Sequence, residues 1–158
     1  ALAAGIEPQL RALARGELEA LATRFGETAV LTVRDGDEAV AVDQVIGGNG
    51  VVQIHYRTGT RHPVEVAASG RALLAENASG AVFSSGELEP GVRGVAAAVV
   101  DADGRPIASI AVVAPEHRFP RDDAEVAAAV RASAERISRA LARAAPKGGR
   151  DAPLPAGR

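Results

Sequence analysis

The sequence predicts an α+β domain: an antiparallel sheet of about six strands flanked by helices. Three observations carry this. A long amphipathic stretch stands near each end of the chain. Between them lie short apolar runs bounded by Gly, Asp and Asn, two pairs of them joined by Asp-Gly or Asp-x-Asp-Gly turns. The third observation is the stretch 84–115, SSGELEPGVRGVAAAVVDADGRPIASIAVVAP, which reads as a polar loop followed by an apolar hairpin. Its strands are expected at Val95–Val100 and Ile107–Val113, turning at Asp101–Gly104. A hairpin this apolar must be covered on at least one face.

The first helix is expected over residues 6–25, because Leu10, Leu13, Leu18, Leu21 and Phe25 recur at near-helical spacing. Pro8 suits its first turn and Gly26 the position just past its end. Ala1–Gly5 are expected to be the tail of an earlier helix. Thr28–Val33 and Glu38–Val45 are the first two strands, with Asp35-Gly36 between them as a hairpin signal. GGNG at 47–50 is expected to be a flexible loop. It leads into a strand and lacks a following Lys-Ser/Thr, so it fails the context of a phosphate-binding loop. Val51–Tyr56 is the expected third strand, Arg57–Pro63 a polar loop and Val66–Ala75 a short helix. A strand is expected at Ala81–Ser84. Asp122–Ala144 reads as the closing helix, with Val126, Val130, Ile137 and Leu141 on one stripe and Asp122 with Glu125 as a capping-box variant. The Pro/Gly-rich segment 145–158 is expected to be a mobile tail.

The chain has 158 residues, enough for one domain with a substantial core. It is 47% hydrophobic but only 3% aromatic, so the core must be built from Ala, Val, Leu and Ile. A net charge of −2 argues against a nucleic-acid face on this piece. The absence of cysteine excludes disulfides and thiolate metal sites. No apolar run is long enough to span a membrane, and the first residues lack a signal-peptide layout. Cytoplasm is the default expectation.

Nothing in the sequence favours catalysis. Ser69 lies in AASGR rather than G-x-S-x-G, and Ser84, Ser85 and Ser109 have no activating context. The three histidines, His55, His62 and His117, form no HxH or HExxH pair. His55 and His62 could meet Glu65 across a loop as a weak three-ligand metal set. Glu87, Glu89 and Arg93 are either solvated loop residues or the rim of a pocket. Asp122 and Asp123 read as a helix N-terminus. The chain is therefore expected not to be an enzyme and to hold no cofactor.

The wording of several stretches is familiar. GELEPGVRGVAAAVVDADGRPIASIAVVAP resembles the effector-binding domain of IclR-type bacterial transcription regulators, where a "GE...GV..IAAPV.D..G.VVAAISV.GP" run forms the central hairpin under a ligand pocket. GETAVLTVRDGDEAVAVDQVIG and RTGTRHPVEVAASGRALLA continue the likeness, with Glu65 where the family has His and Arg71 where it has Lys. The resemblance spans roughly residues 9–144, leaving 1–8 as a remnant of an interdomain linker helix. It implies a GAF-like fold with a pocket between the sheet and the loops and helices above it. Family members carry several tens of residues between positions equivalent to Asn77 and Ala78. Such a segment is expected to be absent from this sequence rather than lost from the protein, because its deletion would remove a pocket wall.

The same resemblance implies a ligand sensor that controls a winged helix-turn-helix DNA-binding domain not present in this chain. It also implies homodimers or homotetramers and no membrane partner. The family's effector contacts fall on Ala68, Ser69, Ser84, Val92, Arg93, Gly94, Ala111 and Val113. Members that bind small keto-acids have Ser at the last two positions, and some have Cys at Gly94. Losing those groups would leave the carboxylate of a two- or three-carbon keto-acid without partners. The expected effector is therefore a larger, less polar acid, aromatic or aliphatic, held by Ser69, Ser84 and Arg93. The alternative is a stand-alone GAF-like binding or interaction module with no DNA partner.

Overall fold

The computed structural model describes residues 6–50, 52–119 and 123–144. The expected tail at 145–158, residues 1–5 and the Asp122 cap lie outside them. The chain forms helix α1 (Ile6–Phe25), strands β1 (Thr28–Asp35), β2 (Glu38–Ile46) and β3 (Arg61–Pro63), helix α2 (Ala67–Arg71), strands β4 (Ala81–Ser85), β5 (Val92–Val100) and β6 (Pro106–Pro115), and helix α3 (Asp123–Ala144). The six strands make one antiparallel sheet in the order β3-β2-β1-β6-β5-β4. The centre of the sheet is β1 against β6.

The turns follow from their residues. Gly36 sits at φ +60 between Asp35 and Glu38, which face each other across the first hairpin. In the second hairpin Gly104 takes φ +77, and the Asp101 carboxylate accepts from the Asp103 and Arg105 amides at 2.9 and 3.0 Å. That side chain ties down the turn that the backbone alone would leave loose.

Side chains alternate across the strands, as the pleat requires, apart from register shifts between Leu31 and Thr32 and between Val99 and Val100. Leu31 and Val33 of β1, Val40 and Val42 of β2, Val95 and Val99 of β5, and Ile110 and Val112 of β6 share one face. There they meet Leu10, Leu18 and Leu21 of α1 and Val126, Val130 and Ile137 of α3 in the principal core. The two helices are cross-linked by Glu17. Its carboxylate accepts from Arg136 through Nε at 2.9 Å and the terminal nitrogen at 2.8 Å, and from the Ser133 hydroxyl at 2.9 Å. Arg136 thereby holds the Glu17 carboxyl below its ordinary value. No helix among the described residues is long and apolar enough to cross a membrane.

Three sequence expectations are corrected. Val51–Tyr56 is not the third strand: its described residues, 52–56, adopt no regular structure, and β3 lies at Arg61–Pro63, within the stretch expected to be a polar loop. The free edge of β2 is taken by later residues, through His62 opposite Ala39 and the Ala41 amide bonded to the Thr60 carbonyl at 3.0 Å. The 54–56 stretch is instead tied down by side chains: Thr28 Oγ1 donates to the Ile54 carbonyl at 2.6 Å, and the Gln44 amide group brackets Tyr56, accepting its N–H at 3.0 Å and donating to its carbonyl.

The short helix is shorter than expected, ending at Arg71 instead of Ala75, with a separate 3₁₀ turn at Ala75–Asn77. Nor is the glycine loop at 47–50 free. A side chain at Gly47 would stand 2.1 Å from the Ala22 carbonyl oxygen, and one at Gly48 2.5 Å from that of Gly26. These two glycines let the end of β2 close against the end of α1.

Candidate functional site

The opposite face of the sheet is built differently. Val30 and Thr32 of β1, Ala41 of β2, Gly94 and Ala96 of β5, and Ser109, Ala111 and Val113 of β6 point away from the two long helices. Most are small, so a single turn of helix can approach closely. Ala68 of α2 and Ala72 just past its end pack on Ala96 and Ala111, and Gly70 is needed because a Cβ there would lie 2.7 Å from the Val64 carbonyl. The Ser109 hydroxyl, fully buried, donates to the Ser69 carbonyl at 2.8 Å and fixes α2 on β6. Arg34 reaches the Leu73 carbonyl at 3.2 Å and holds the chain just beyond α2.

Beside α2 the face is not filled. A small cavity lies between the sheet, α2, the 86–91 loop and the 56–62 stretch. Its apolar lining comes from Val30, Leu88, Val92 and Val113, and its polar lining from Thr32, Tyr56, His62, Ser69, Ser84, Glu89 and Arg93. Mostly apolar walls with a few polar groups are the usual make-up of a small-molecule site. Gly94 forms part of the lining, where a Cβ would stand 3.2 Å from Ser84 Oγ and 3.4 Å from Val113 Cγ1.

The 86–91 loop is latched over this cavity. The Glu87 carboxylate accepts the Ala67 N–H at 3.2 Å and a bond from Arg71, which also donates to the Phe83 carbonyl. Ala67 takes φ +64, among the described residues the only one other than glycine at positive φ. Such a conformation is costly for an alanine and is held by its surroundings. Arg93 is bonded to Glu116 at 3.2 Å. Burial pushes the Tyr56 phenol above its ordinary value, and the nearby negative charge of Glu89 adds to the effect.

Seven of the eight effector positions expected from the resemblance line this cavity: Ala68, Ser69, Ser84, Val92, Arg93, Gly94 and Val113. Ala111 does not. It is fully buried beneath α2, where Ala68, Ala72 and Ala96 cover it. The weak metal set does not assemble: no group of three His, Asp or Glu able to hold a metal exists among the described residues. His55 lies in the stretch without regular structure and Glu65 is exposed, while His62 lines the cavity with Nδ1 2.9 Å from the Pro63 carbonyl. Residue-by-residue reading missed Thr32 and Tyr56. Thr32 had a signal, since alternation from Leu31 and Val33 places it on the second face. Tyr56 had none, because its stretch was expected to be a strand.

Residues 6–80 and 76–139 match the family profile described as bacterial transcriptional regulator IclR C-terminal. Solved structures agree on the fold. An IclR transcriptional regulator from Alicyclobacillus acidocaldarius is 26% identical with a TM-score of 0.74, covering 84% of this chain and 68% of that one. The IclR of Thermotoga maritima is 24% identical with a TM-score of 0.75 and the same coverage, 84% and 68%. The transcriptional regulator YaiJ is 20% identical with a TM-score of 0.78, covering 86% of this chain and 97% of that one. No curated protein matches the sequence significantly.

Proposed function

Because this chain belongs to the IclR C-terminal family of bacterial transcriptional regulators, and not to a family of enzymes, we propose that it is the effector-sensing domain of such a regulator. The observation that carries the reading is the cavity beside α2, where the Ser69 and Ser84 hydroxyls have no hydrogen-bond partner among the described residues. A ligand supplies those partners and gains affinity from the apolar walls formed by Val30, Leu88, Val92 and Val113.

The effector is a small organic acid, aromatic or aliphatic. At Gly94 and Val113 the cavity offers no hydroxyl or thiol, so a very small keto-acid would leave carboxylate oxygens unpaired. Ser69, Ser84 and Arg93 hold the acid end. Binding shifts a population between arrangements of a winged helix-turn-helix domain outside this chain, which requires different affinity for the two states. The regulator works in the cytoplasm as a homodimer or homotetramer. The family segment expected between Asn77 and Ala78 belongs to this proposal too. That the family profile matches in two stretches meeting at 76–80 supports it.

A thermal-shift screen tests the reading with glyoxylate, pyruvate, aromatic acids and longer aliphatic acids. A ligand that binds only the folded state raises the melting temperature by mass action. The expected result is a rise with aromatic or longer aliphatic acids. A rise with glyoxylate or pyruvate alone would overturn the proposed effector class.

A further inference from the structure

The groups left unpaired in the cavity say more about the effector than its volume does. Thr32 is only 2% exposed and lines the cavity, yet its hydroxyl has no partner among the described residues. Its neighbours on the same sheet are satisfied: Thr28 donates to Ile54 and Ser109 to Ser69. Hydroxyls this deeply buried are normally hydrogen-bonded, and no sealed polar side-chain atom among the described residues lacks a partner. The Thr32 hydroxyl thus reaches the open space of the cavity that Thr32 lines.

The charges of the lining are unequal. Glu87 is taken up by Arg71 and the Ala67 N–H, and Arg93 by Glu116. Glu89 pairs with no cation among the described residues, and it lies close enough to Tyr56 to affect the phenol. The charge without a counter-charge at the cavity is therefore negative. A plain carboxylic acid would bring a second negative charge toward it. An ammonium group reverses that sign, and the face of a tyrosine ring attracts cations as well.

We infer that the effector is an amino-acid-like zwitterion, with its ammonium between Glu89 and Tyr56, its carboxylate at Ser69, Ser84 and Arg93, and the Thr32 hydroxyl bonded to it from the sheet. This rests on the sensor reading and narrows it: the organic acid carries an amine. The side chain of the effector packs on Val30, Leu88, Val92 and Val113.

Isothermal titration of this chain with matched probes tests it: 3-phenylpropionate, phenylalanine and 2-phenylethylamine, then hexanoate, norleucine and pentylamine. The amino acid of at least one set should bind at least about tenfold more tightly than its matched acid, a difference set by one close charge pair. Glu89→Gln, at an exposed loop position, should abolish that preference without lowering affinity for the acid. Thr32→Val should weaken the amino acid while the protein stays folded. If both acids bind as tightly as their amino acids, or if Glu89→Gln leaves the preference unchanged, the zwitterion is wrong and the sensor reading stands. Failure of all six probes to bind, together with the keto-acids of the thermal screen, would overturn the sensor reading and this inference with it.

Discussion

The two faces of one sheet have opposite designs. On the helix face β1, β5 and β6 present Leu31, Val95, Val99, Ile110 and Val112, which interlock with two long helices and leave no room. On the other face the same strands present Thr32, Gly94, Ala96, Ser109 and Ala111 under a helix of five residues. Strand periodicity of two lets one sequence write both. Large branched residues at alternate positions give stability, and small or hydroxylated ones between them give space and hydrogen-bonding groups. The lesson is that the cavity was made by withholding side-chain volume from one face of the sheet.

This contrast can be broken from either side. Ile110→Ala removes a fully buried side chain between the sheet and the long helices. It should cost about 2–5 kcal/mol in urea unfolding. A loss below about 1 kcal/mol would mean that the helix face is not the main source of stability.

Glu17→Gln probes the α1–α3 cross-link. The Arg136 side chain is 52% exposed, so solvent screening limits the expected loss to about 1 kcal/mol. Glu17 has its carboxyl depressed below 4.5 in the folded protein. Its contribution is therefore complete above about pH 4.5 and disappears as pH falls through the lowered folded value. Urea melts of wild type and Glu17→Gln should differ at pH 7 and converge at strongly acid pH.

On the pocket face the effects on stability shrink and those on binding grow. Gly94→Ala places a methyl 3.2 Å from Ser84 Oγ. It should change stability by less than about 1 kcal/mol, since the cavity can take the added volume, and it should weaken effector binding in a titration. Thr32→Val removes a buried hydroxyl that has no partner among the described residues. Stability should stay within about 1 kcal/mol of wild type, because no hydrogen bond is lost, while affinity falls. A clear destabilisation by Thr32→Val would show that the hydroxyl serves the fold.

Much of the fold could be read from the sequence because its signals are local. Leu10, Leu18 and Leu21 mark the buried stripe of α1, Gly36 and Gly104 mark the two turns, and the central hairpin stands out as two apolar runs. The failures come where non-local contacts decide. Val51–Tyr56 has the composition of a strand, yet β2 pairs with Arg61–Pro63, and the Gln44 side chain takes over the bonding to Tyr56. Part of the cavity lining was legible through the family resemblance, which placed Ser69, Ser84 and Gly94 together. The latch of Glu87 on Ala67 was not, because it joins residues 20 apart through a backbone amide at the start of α2.

The central claim is that the small-residue face is where the effector binds. The most direct test is amide chemical-shift mapping of the labelled chain with the tightest ligand of the titrations. The account predicts that the largest shifts cluster at Thr32, Ser69, Ser84, Glu89 and Gly94, while Ala14 of α1 and Ala134 of α3 stay still. Shifts centred on the α1–α3 face, with the cavity residues unmoved, would contradict it.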